Sequence, residues 1–325
     1  MTSRIDVAIV AYRRWDLTKS CLEHLARQTV PHRVFVCDNG CDEETAKRLA
    51  DEYPDVTVVR QPRNMPYPVA CNAAVAAGDA DFVVMMNNDV DARPDFLEQL
   101  LAVLESDRRI GSVACMLLRP GERSIDSAGL VADPVLAGFP RFQGMSPEAA
   151  TRERLVLTGP AGAAAAFRRQ AWQAMGGLDE ALPAYMEDFD LALRLRAAGW
   201  LSAFAKRAVA VHIGSATFGQ GSADQRYKLG FGRGYIIRRY GLLWSKLGIR
   251  TALTEVAVVT GDLLISRDAA ALRGRVSGFR SASGLARRVM PPAEAIQQDI
   301  GILDSFRRRL AISGWPRSQG ETDNR

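Results

Sequence analysis

The chain has 325 residues and a net charge of +5, with 47% apolar and 24% charged residues. This composition is that of an ordinary soluble globular protein, and the length allows one large domain with an appendage. No apolar stretch approaches the roughly 20 residues that a membrane-spanning helix needs. The first residues run directly into a strand pattern, so we expect no signal segment.

The spacing of the cysteines and the distribution of charge along the chain limit the possible classes of protein further. The five cysteines lack paired C-x₂-C spacing, which argues against zinc and a disulfide framework and favours a reducing cytoplasm. Residues 226–325 carry 18 Lys and Arg against 8 Asp and Glu, whereas residues 1–225 carry 24 against 29. A basic segment favours an anionic partner such as a lipid surface, nucleic acid or a phosphorylated substrate. The alternative is a solvated set of arginine-rich helices.

The first third of the chain alternates short apolar strands with helices. Strands are predicted at 5–11, 33–37, 56–59 and 82–86. Helices are predicted after a cap at Asp16, over 43–53, from Pro68 to about 77, and from Pro94. This alternation predicts an α/β fold with a mainly parallel sheet and helices on both faces. Ligands bind such sheets at the carboxyl ends of the strands, where Tyr12, Asp38 and Asp89 fall.

The remaining chain divides into three parts. A turn-rich stretch after residues 110–118 predicts a hairpin insertion, and 159–167 predicts a tightly packed strand that leads into a helix ended by Gly176-Gly177. Residues 187–198 predict a helix that is buried on two sides. Beyond Gly219 the chain changes to arginine-rich helices. We therefore predict a catalytic domain over 1–218, a basic helical region over 219–313 and a frayed tail over 314–325.

The most informative stretch is an apolar run that ends in acidic residues. Phe82–Met86 predicts a buried strand, and Asn87-Asn88-Asp89-Val90-Asp91 follows it. Because residues on a strand alternate faces, we expect Asp89 and Asp91 to point the same way. Two carboxylates at the mouth of a sheet form a half-site for Mg²⁺ or Mn²⁺, which usually binds a substrate diphosphate. Alone, an Asp-x-Asp is equally compatible with a solvated loop.

Two further features favour a metal site over a solvated loop. The acidic cluster Glu187-Asp188-Phe189-Asp190 follows about a hundred residues later, and His212 ends the apolar run Val209-Ala210-Val211. Chance rarely supplies two acidic clusters together with a histidine at a strand end. The three features together therefore indicate one functional site.

With these residues assembled, the chain resembles the family 2 glycosyltransferases with the GT-A nucleotide-diphospho-sugar transferase fold. Within that family it is most similar to bacterial rhamnosyltransferase-like and galactofuranosyltransferase-like members. The matching pieces lie in the family's order over roughly residues 5–215: Val7–Arg14, Val36–Gly40, Asn87–Asp91, Asp126–Gly129, Glu187–Asp190 and His212. Each piece alone is weak, but the ordered set is specific. The resemblance implies a GT-A domain, followed here by a helical C-terminal extension.

The resemblance implies a role for each matching position. Asp188 matches the general base, and Glu187 and Asp190 would orient it or place charge at the helix N-terminus. Asp89, Asp91 and His212 match the ligands of Mg²⁺ or Mn²⁺. The nucleotide and donor positions are Ala11, Tyr12, Arg14, Asp38, Arg63, Asn64, Asn88 and Asp89.

Among the nucleotide positions, Tyr12 would pack on the base and Asp38 would hydrogen-bond the base or ribose. For these two residues the alternative is ordinary strand-end packing and turn capping. For His212 the alternative is a satisfied histidine at a strand end. His24 and His32 match nothing and are expected at the surface.

The implied reaction is an inverting sugar transfer from a nucleoside-diphosphate-sugar, with dTDP-rhamnose as a candidate donor. A divalent cation would neutralise the leaving diphosphate, and one carboxylate would take the proton of the acceptor hydroxyl. The implied acceptor is a glycan or a polyprenyl-diphosphate-linked molecule in cell-surface polysaccharide synthesis. One departure concerns the donor: Met65-Pro66-Tyr67-Pro68 stands where the family has Gly and small residues, which predicts a stiff wall beside the donor sugar.

The basic region suggests where the enzyme works. Its segments Tyr235–Tyr240 and Phe306–Leu310 mix arginine with apolar side chains, as helices at anionic membranes do. We therefore predict a cytoplasmic protein held peripherally at the inner face of the cytoplasmic membrane. Nucleic acid is not expected as a partner, because no recognisable binding motif is present. The alternatives are helices that brace the catalytic domain or form a homodimer interface.

Other function classes fit less well. A haloacid-dehalogenase-type phosphotransferase requires Thr or Val where Arg93 stands, and an EF-hand requires Gly where Pro94 stands. A non-catalytic nucleotide-sugar-binding protein would not need an intact Asp188 and His212. A glycosyltransferase with a soluble small-molecule acceptor remains the alternative to a lipid-linked one.

Overall fold

The computed structural model describes residues 4–152, 155–214 and 221–310, with the backbone alone described for 151 and 152. Its strands are β1 Ile5–Ala11, β2 Arg33–Asp38, β3 Thr57–Arg60, β4 Phe82–Asn87, β5 Val90–Ala92, β6 Ile110–Leu118, β7 Ile125–Ser127, β8 Leu130–Ala132, β9 Gly138–Pro140, β10 Ala164–Arg168 and β11 Leu201–His212. Its α-helices are α1 Trp15–Leu25, α2 Glu43–Glu52, α3 Tyr67–Ala76, α4 Phe96–Ser106, α5 Ala149–Arg152, α6 Arg169–Ala174, α7 Glu187–Ala197, α8 Ala223–Arg239, α9 Gly248–Ser266, α10 Ala270–Ser281 and α11 Ile302–Leu310. Short 3₁₀ turns lie at Leu242–Trp244 and Ala293–Ala295.

The main sheet has the order β3-β2-β1-β4-β10-β6-β11-β5, and β7 pairs with β6 outside this path. The pairs β1–β2, β1–β4, β2–β3 and β6–β11 are parallel, whereas β10 and β5 run antiparallel to their neighbours. Strands β8 and β9 form a separate antiparallel hairpin. The predicted mainly parallel α/β sheet is therefore confirmed, and the hairpin lies inside the predicted insertion.

Helices cover both faces of this sheet because its central strands are apolar throughout. Every residue of β1 is buried, and its neighbours Ala8 and Ile9 belong to different core clusters. Ile9 packs in the cluster that holds Leu22 and Leu100, and Ala8 packs with Trp172. Burial of each large apolar side chain contributes about 1.5–3 kcal/mol.

The start of α1 differs from the sequence prediction. Arg13 and Arg14 take left-handed backbone conformations, with φ of 54° and 50°. The helix then begins at Trp15 without a side-chain cap, and Asp16 lies in its first turn, paired with Arg14 at 2.8 Å. The prediction that Asp16 caps this helix is wrong, because Arg14 occupies the N-cap position and the helix starts two residues earlier than predicted.

Helices α8 and α10 pack through glycine. A Cβ atom at Gly230 or Gly234 would lie 2.3 Å or 2.0 Å from a carbonyl oxygen of α10. Gly274 and Gly278 of α10 approach the carbonyl oxygens of α8 equally closely. The two helix backbones therefore touch, and no larger side chain fits at these four positions.

Glu255 of α9 ties four helices together. Its carboxylate accepts hydrogen bonds from Arg233 of α8 at 2.7 Å, Arg275 of α10 at 3.0 Å and Arg309 of α11 at 2.6 Å. Burial alone would raise the pKa of Glu255, but the three guanidinium groups outweigh it and hold the pKa well below its usual range. The arginine-rich composition of this region therefore partly reflects an internal ion-pair network.

The helical region is also joined to the rest of the chain. Arg288 pairs with both Asp179 and Asp190, and Tyr235 donates to Asp179 at 2.7 Å. The side chains of Tyr235, Ile236 and Tyr240 are buried, so these apolar residues of the segment expected to face a membrane lie inside the protein. Among the described residues, no helix is long and apolar enough to cross a bilayer. The predicted boundary at residue 218 and the predicted tail lie outside the described residues.

Candidate active site

Asp89 lies in the turn that follows the central strand β4. Asn88, beside it, is fixed by a hydrogen bond from its side-chain amide to Thr18 Oγ1 at 2.9 Å. Asp89 itself is buried, and among the described residues its Oδ1 atom has no hydrogen-bond partner. His212 Nε2 lies 3.5 Å from this oxygen. A buried carboxylate oxygen in this state is suited to a cation.

His212 is held from its other side by Asp126. Strand β11 ends at His212, and the ring Nδ1 lies 2.7 Å from Asp126 Oδ2. Burial lowers the pKa of His212, but the carboxylates of Asp126 and Asp89 outweigh it and raise the pKa to about 9. Asp126 belongs to a sequence piece to which we assigned no role. Only its place in the ordered motif set pointed to it.

The pair Asp89 and His212 fits a divalent cation. Asp89 Oδ1 and His212 Nε2 lie 3.5 Å apart, so both atoms can bind one ion at ligand distances of about 2.1 Å. A carboxylate behind the imidazole, as Asp126 is here, is the usual outer partner of a metal-binding histidine. Within the described parts of the chain, no group of three or more His, Cys, Asp or Glu side chains is placed to hold a metal. The remaining ligands would have to come from bound molecules such as a diphosphate or water.

The structure does not bring Asp91 into this pair. Its Oδ1 accepts a hydrogen bond from Ser20 at 2.9 Å and lies 3.4 Å from His24 Nδ1. The chain turns at residues 88–89, so strand alternation does not relate Asp89 to Asp91. Asp91 and His24 instead line an open cleft of about 650 Å³. The role of Asp91 as a metal ligand stays a prediction.

Asp188 lies at the N-terminus of α7, across the start of β10 from the end of β4. Its Oδ2 accepts the backbone N–H of Gly162 at 2.7 Å, and its Oδ1 accepts that of Phe189 at 2.7 Å. The carbonyl of Ala163, next to Gly162, accepts the N–H of Asn87 at 2.8 Å. The two acidic clusters of the sequence thus approach the same edge of the sheet.

The loop that delivers Asp188 is strained. Tyr185 and Met186, just before α7, have φ values of 63° and 68°. Left-handed conformations of this kind cost residues other than glycine roughly 1–2 kcal/mol each, and such strain clusters at functional sites.

Glu187 and Asp190, the two carboxylates beside Asp188, differ in their surroundings. Burial raises the pKa of both Glu187 and Asp188, and the charge of Asp188 raises that of Glu187 further. Glu187 Oε2 has no hydrogen-bond partner among the described residues. Asp190 is fully buried and points to Arg194 at 2.8 Å and to Arg288. Asp190 therefore anchors α7, whereas Glu187 lies in the same acidic environment as Asp188.

The ends of β1 and β2 hold the predicted nucleotide residues. Tyr12 is half-buried, with the Arg13 guanidinium 5.0 Å from its ring centroid. Asp38 Oδ1 accepts the N–H of Cys41 at 2.9 Å, so turn capping, the alternative for this residue, is present. The carbonyl oxygen of Ala11 accepts a hydrogen bond from the backbone N–H of Asn39, the residue after Asp38, at 2.9 Å.

Two further nucleotide positions lie beside this turn. Asn64 Oδ1 accepts from the side chain of Asn39 at 3.0 Å, and a Cβ atom at Gly40 would lie 2.5 Å from Asn64 N. Arg63 is exposed next to Asn64, whereas Arg14 pairs with Asp16. The 38–40 and 63–64 loops therefore pack against each other beyond the end of β2.

Tyr67 connects the predicted donor wall to the acidic site. Its hydroxyl donates to Asn87 Oδ1 at 2.6 Å. Burial raises the pKa of Tyr67 well above its usual value, and the charges of Glu187 and Asp188 add to that rise. Sequence reasoning placed this segment beside the donor but did not foresee its hydrogen bond to the end of β4.

The sheet is mainly parallel, and the ends of its strands bring together a carboxylate–histidine pair and the buried, acidic N-terminus of a helix. This combination of fold and site is that of a glycosyltransferase of the GT-A type. Two solved structures share this fold. GalNAc-T7 with UDP, GalNAc and Mn²⁺ aligns with a TM-score of 0.56 and 15% identity over 78% of this chain and 54% of that chain. The mannosyltransferase PcManGT from Pyrobaculum calidifontis, in complex with GDP-Man and Mn²⁺, aligns with a TM-score of 0.52 and 17% identity over 96% and 87%.

The chain belongs to the glycosyltransferase-like family 2, whose family model matches residues 3–226. The N-acetylglucosaminyl-diphospho-decaprenol L-rhamnosyltransferase of Mycobacterium tuberculosis is 29% identical over 65% of this chain and 76% of that protein. The rhamnosyltransferase WbbL of Escherichia coli K12 is 25% identical over 60% and 78%. The predicted family, the GT-A fold and the rhamnosyltransferase-like subgroup are thereby confirmed.

Proposed function

We propose that this enzyme transfers a sugar, with inversion, from a nucleoside-diphosphate donor to a hydroxyl of a polyprenyl-diphosphate-linked glycan. The observation that supports the proposal is that Asp188 accepts the N–H of Gly162, the neighbour of Ala163, whose carbonyl accepts the N–H of Asn87 two residues before Asp89. A base on one side and a cation site on the other are what a single displacement at the anomeric carbon needs.

In the proposed reaction, Asp188 accepts the proton of the acceptor hydroxyl while that oxygen attacks C1 of the sugar. The bond between C1 and the diphosphate oxygen breaks, and the nucleoside diphosphate leaves with its electron pair. Asp89 and His212 would hold Mg²⁺ or Mn²⁺, which neutralises charge on the diphosphate when bound. Asp126 fixes the His212 ring so that Nε2 faces Asp89.

The nucleotide would lie along the edge formed by the ends of β1 and β2. Tyr12 would pack on the base, and Asp38 would hydrogen-bond the base or ribose. Asn88 and the 63–64 loop would flank the diphosphate and sugar. Since Arg13 covers one face of the Tyr12 ring, the base would use the other face or displace Arg13.

The relatives' names support the choice of substrates. The mycobacterial relative is named as a rhamnosyltransferase that acts on an N-acetylglucosaminyl-diphospho-decaprenol. We therefore place dTDP-rhamnose first among donors and a GlcNAc-diphospho-polyprenol first among acceptors. An acceptor of that kind lies in a bilayer, so we also propose peripheral attachment at the inner face of the cytoplasmic membrane.

The test uses the full chain with dTDP-, UDP- and GDP-sugars, Mn²⁺ and a GlcNAc-diphospho-lipid. We expect nucleoside diphosphate release that requires both the acceptor and one donor class, together with a thermal shift by that donor. Donor binding without transfer to any acceptor would favour a non-catalytic binding protein. Transfer to a soluble sugar alone would favour a small-molecule acceptor.

A further inference from the structure

Helix α9 turns an apolar side to the outside of the protein. Its exposed positions are Ile249, Ala252, Leu253, Val256, Ala257, Thr260 and Leu264. Ile249 is 80% exposed and Leu264 74%. Their spacing of three and four residues places them on one stripe along the helix. Thr260 is the single polar residue in this stripe, and no charged residue belongs to it.

The inward side of α9 is more polar than the outward side. Thr254 and Asp262 are buried, and Glu255 lies in its three-arginine network. Arg250 donates to the carbonyl of Ile300 at 2.6 Å. A helix in water buries its apolar side and exposes its polar one, so the reversed arrangement indicates that an apolar partner covers the stripe.

A basic aromatic cluster lies at the N-terminal end of the stripe. Trp244, four residues before Gly248, is 54% exposed. The guanidinium groups of Arg238 and Arg287 lie 4.8 Å and 5.3 Å from its ring centroid, and Lys246 is exposed beside it. None of these three cations pairs with a carboxylate of the described residues.

We propose that the α9 stripe and the Trp244 cluster form the surface by which this enzyme docks on an anionic phospholipid bilayer. Such a helix lies in the interface with its apolar side among the acyl chains, while tryptophan and basic side chains sit at headgroup level. A second copy of the chain fits less well, because it would add the same unpaired cations and no exposed carboxylate from the stripe. The use of this docking for catalysis rests on the proposed lipid-linked acceptor, but the surface itself does not.

The docking surface is connected to the catalytic helix through α8. A Cβ atom at Gly232 of α8 would lie 2.6 Å from the side chain of Met186, the residue before α7. Helix α8 also shares the Glu255 network with α9 through Arg233. A docked α9 would therefore hold the acidic start of α7 at a fixed height above the bilayer, where a lipid-linked hydroxyl is presented.

Vesicle flotation tests the proposal with the full chain. The probe is phosphatidylcholine vesicles with or without phosphatidylglycerol. We expect flotation only with phosphatidylglycerol, lost at high salt, and a fall of at least about tenfold in vesicle affinity for Leu253→Gln/Val256→Gln. Lys246→Gln/Arg287→Gln should weaken binding to the anionic vesicles. The control Val58→Gln/Ala102→Gln alters exposed apolar positions of the catalytic domain and should float like the wild type.

Three results would overturn the proposal. They are equal flotation with and without phosphatidylglycerol, no effect of Leu253→Gln/Val256→Gln, and a concentration-dependent dimer that this double variant dissociates. Thermal unfolding and transfer to a short-chain acceptor analogue, both expected to be unchanged, show that the variant is folded. Wild-type protein that floats but transfers no sugar would contradict the proposed function and leave the docking surface in place.

Discussion

The backbone N–H of Gly162 donates a hydrogen bond to Asp188 Oδ2 at 2.7 Å. A Cβ atom at Gly162 would lie 3.1 Å from the same oxygen, so the strand start and the carboxylate are in close contact. This contact fixes one carboxylate oxygen and sets where the proton acceptor sits relative to the end of β4.

We expect Gly162→Ala to lower kcat by about 10–100-fold, because a small displacement of a catalytic group is costly. Donor affinity should be unchanged, since the nucleotide edge lies elsewhere. The control is Gly301→Ala, where the added methyl meets no atom within 4 Å. Wild-type kcat in Gly162→Ala would show that this contact does not position the base.

The cation site is tested by removing its ligands one at a time. Asp89→Ala and His212→Ala should each lose Mn²⁺-dependent donor binding, measured by calorimetry with and without EDTA. Asp91→Ala should lose less, because its carboxylate is engaged by Ser20 and His24. An equal loss in Asp91→Ala would indicate that Asp91 is a direct metal ligand. Donor-dependent activity in excess EDTA would contradict a role for the metal.

The pH profile follows from the buried acidic pair. Burial raises the pKa of Asp188, so the carboxylate is protonated at a higher pH than an exposed aspartate and stops acting as a base there. We expect kcat/KM to fall on the acid side with an apparent pKa above about 3.9. Glu187→Gln should leave that limb nearly unchanged, because burial and the charge of Asp188 raise the pKa of Glu187 to about 8 and Glu187 is therefore already neutral where Asp188 titrates. A limb at or below the ordinary aspartate value would contradict a buried base.

The Glu255 network predicts a stability effect with a pH dependence. Glu255→Gln leaves three buried guanidinium groups without their anion, and we expect a loss of about 3–5 kcal/mol in the free energy of unfolding. Because the pKa of Glu255 is depressed in the folded state, its contribution is present above the unfolded-state pKa of about 4.3 and is lost as pH falls below it.

Chemical denaturation over a pH series measures this effect. The difference between wild type and Glu255→Gln should shrink in acid, whereas the exposed control Glu23→Gln should stay within about 0.5 kcal/mol of wild type throughout. A difference that does not change with pH would mean that Glu255 acts through packing and not through its charge.

Sequence patterns predicted the sheet well because its strands are short, apolar and bounded by turns. The predicted strand 5–11 coincides with β1, and the helix starting at Glu187 is buried on two sides as expected. Local pattern could not place Asp91, since a turn at 88–89 interrupts the alternation on which that prediction depended. The partnership of Asp126 with His212 joins residues 86 positions apart, and no local rule reports it.

The C-terminal region shows a different limit of sequence reasoning. Its arginines suggested a basic membrane surface, but Arg233, Arg275 and Arg309 are turned inward to Glu255. The exposed apolar stripe of α9 contains no charge and so escaped a search based on basic residues. The side of a helix that faces solvent depends on its neighbours, and composition does not reveal it.

The most direct test of the central claim is Asp188→Asn, assayed for both donor binding and single-turnover transfer. Asparagine is nearly isosteric and can still accept one backbone hydrogen bond, but it cannot take the acceptor proton. We expect the donor affinity to stay within about twofold of wild type. The transfer rate should fall by about 10²–10⁴-fold or more. Near-normal transfer in this variant would contradict the assignment of Asp188 as the base.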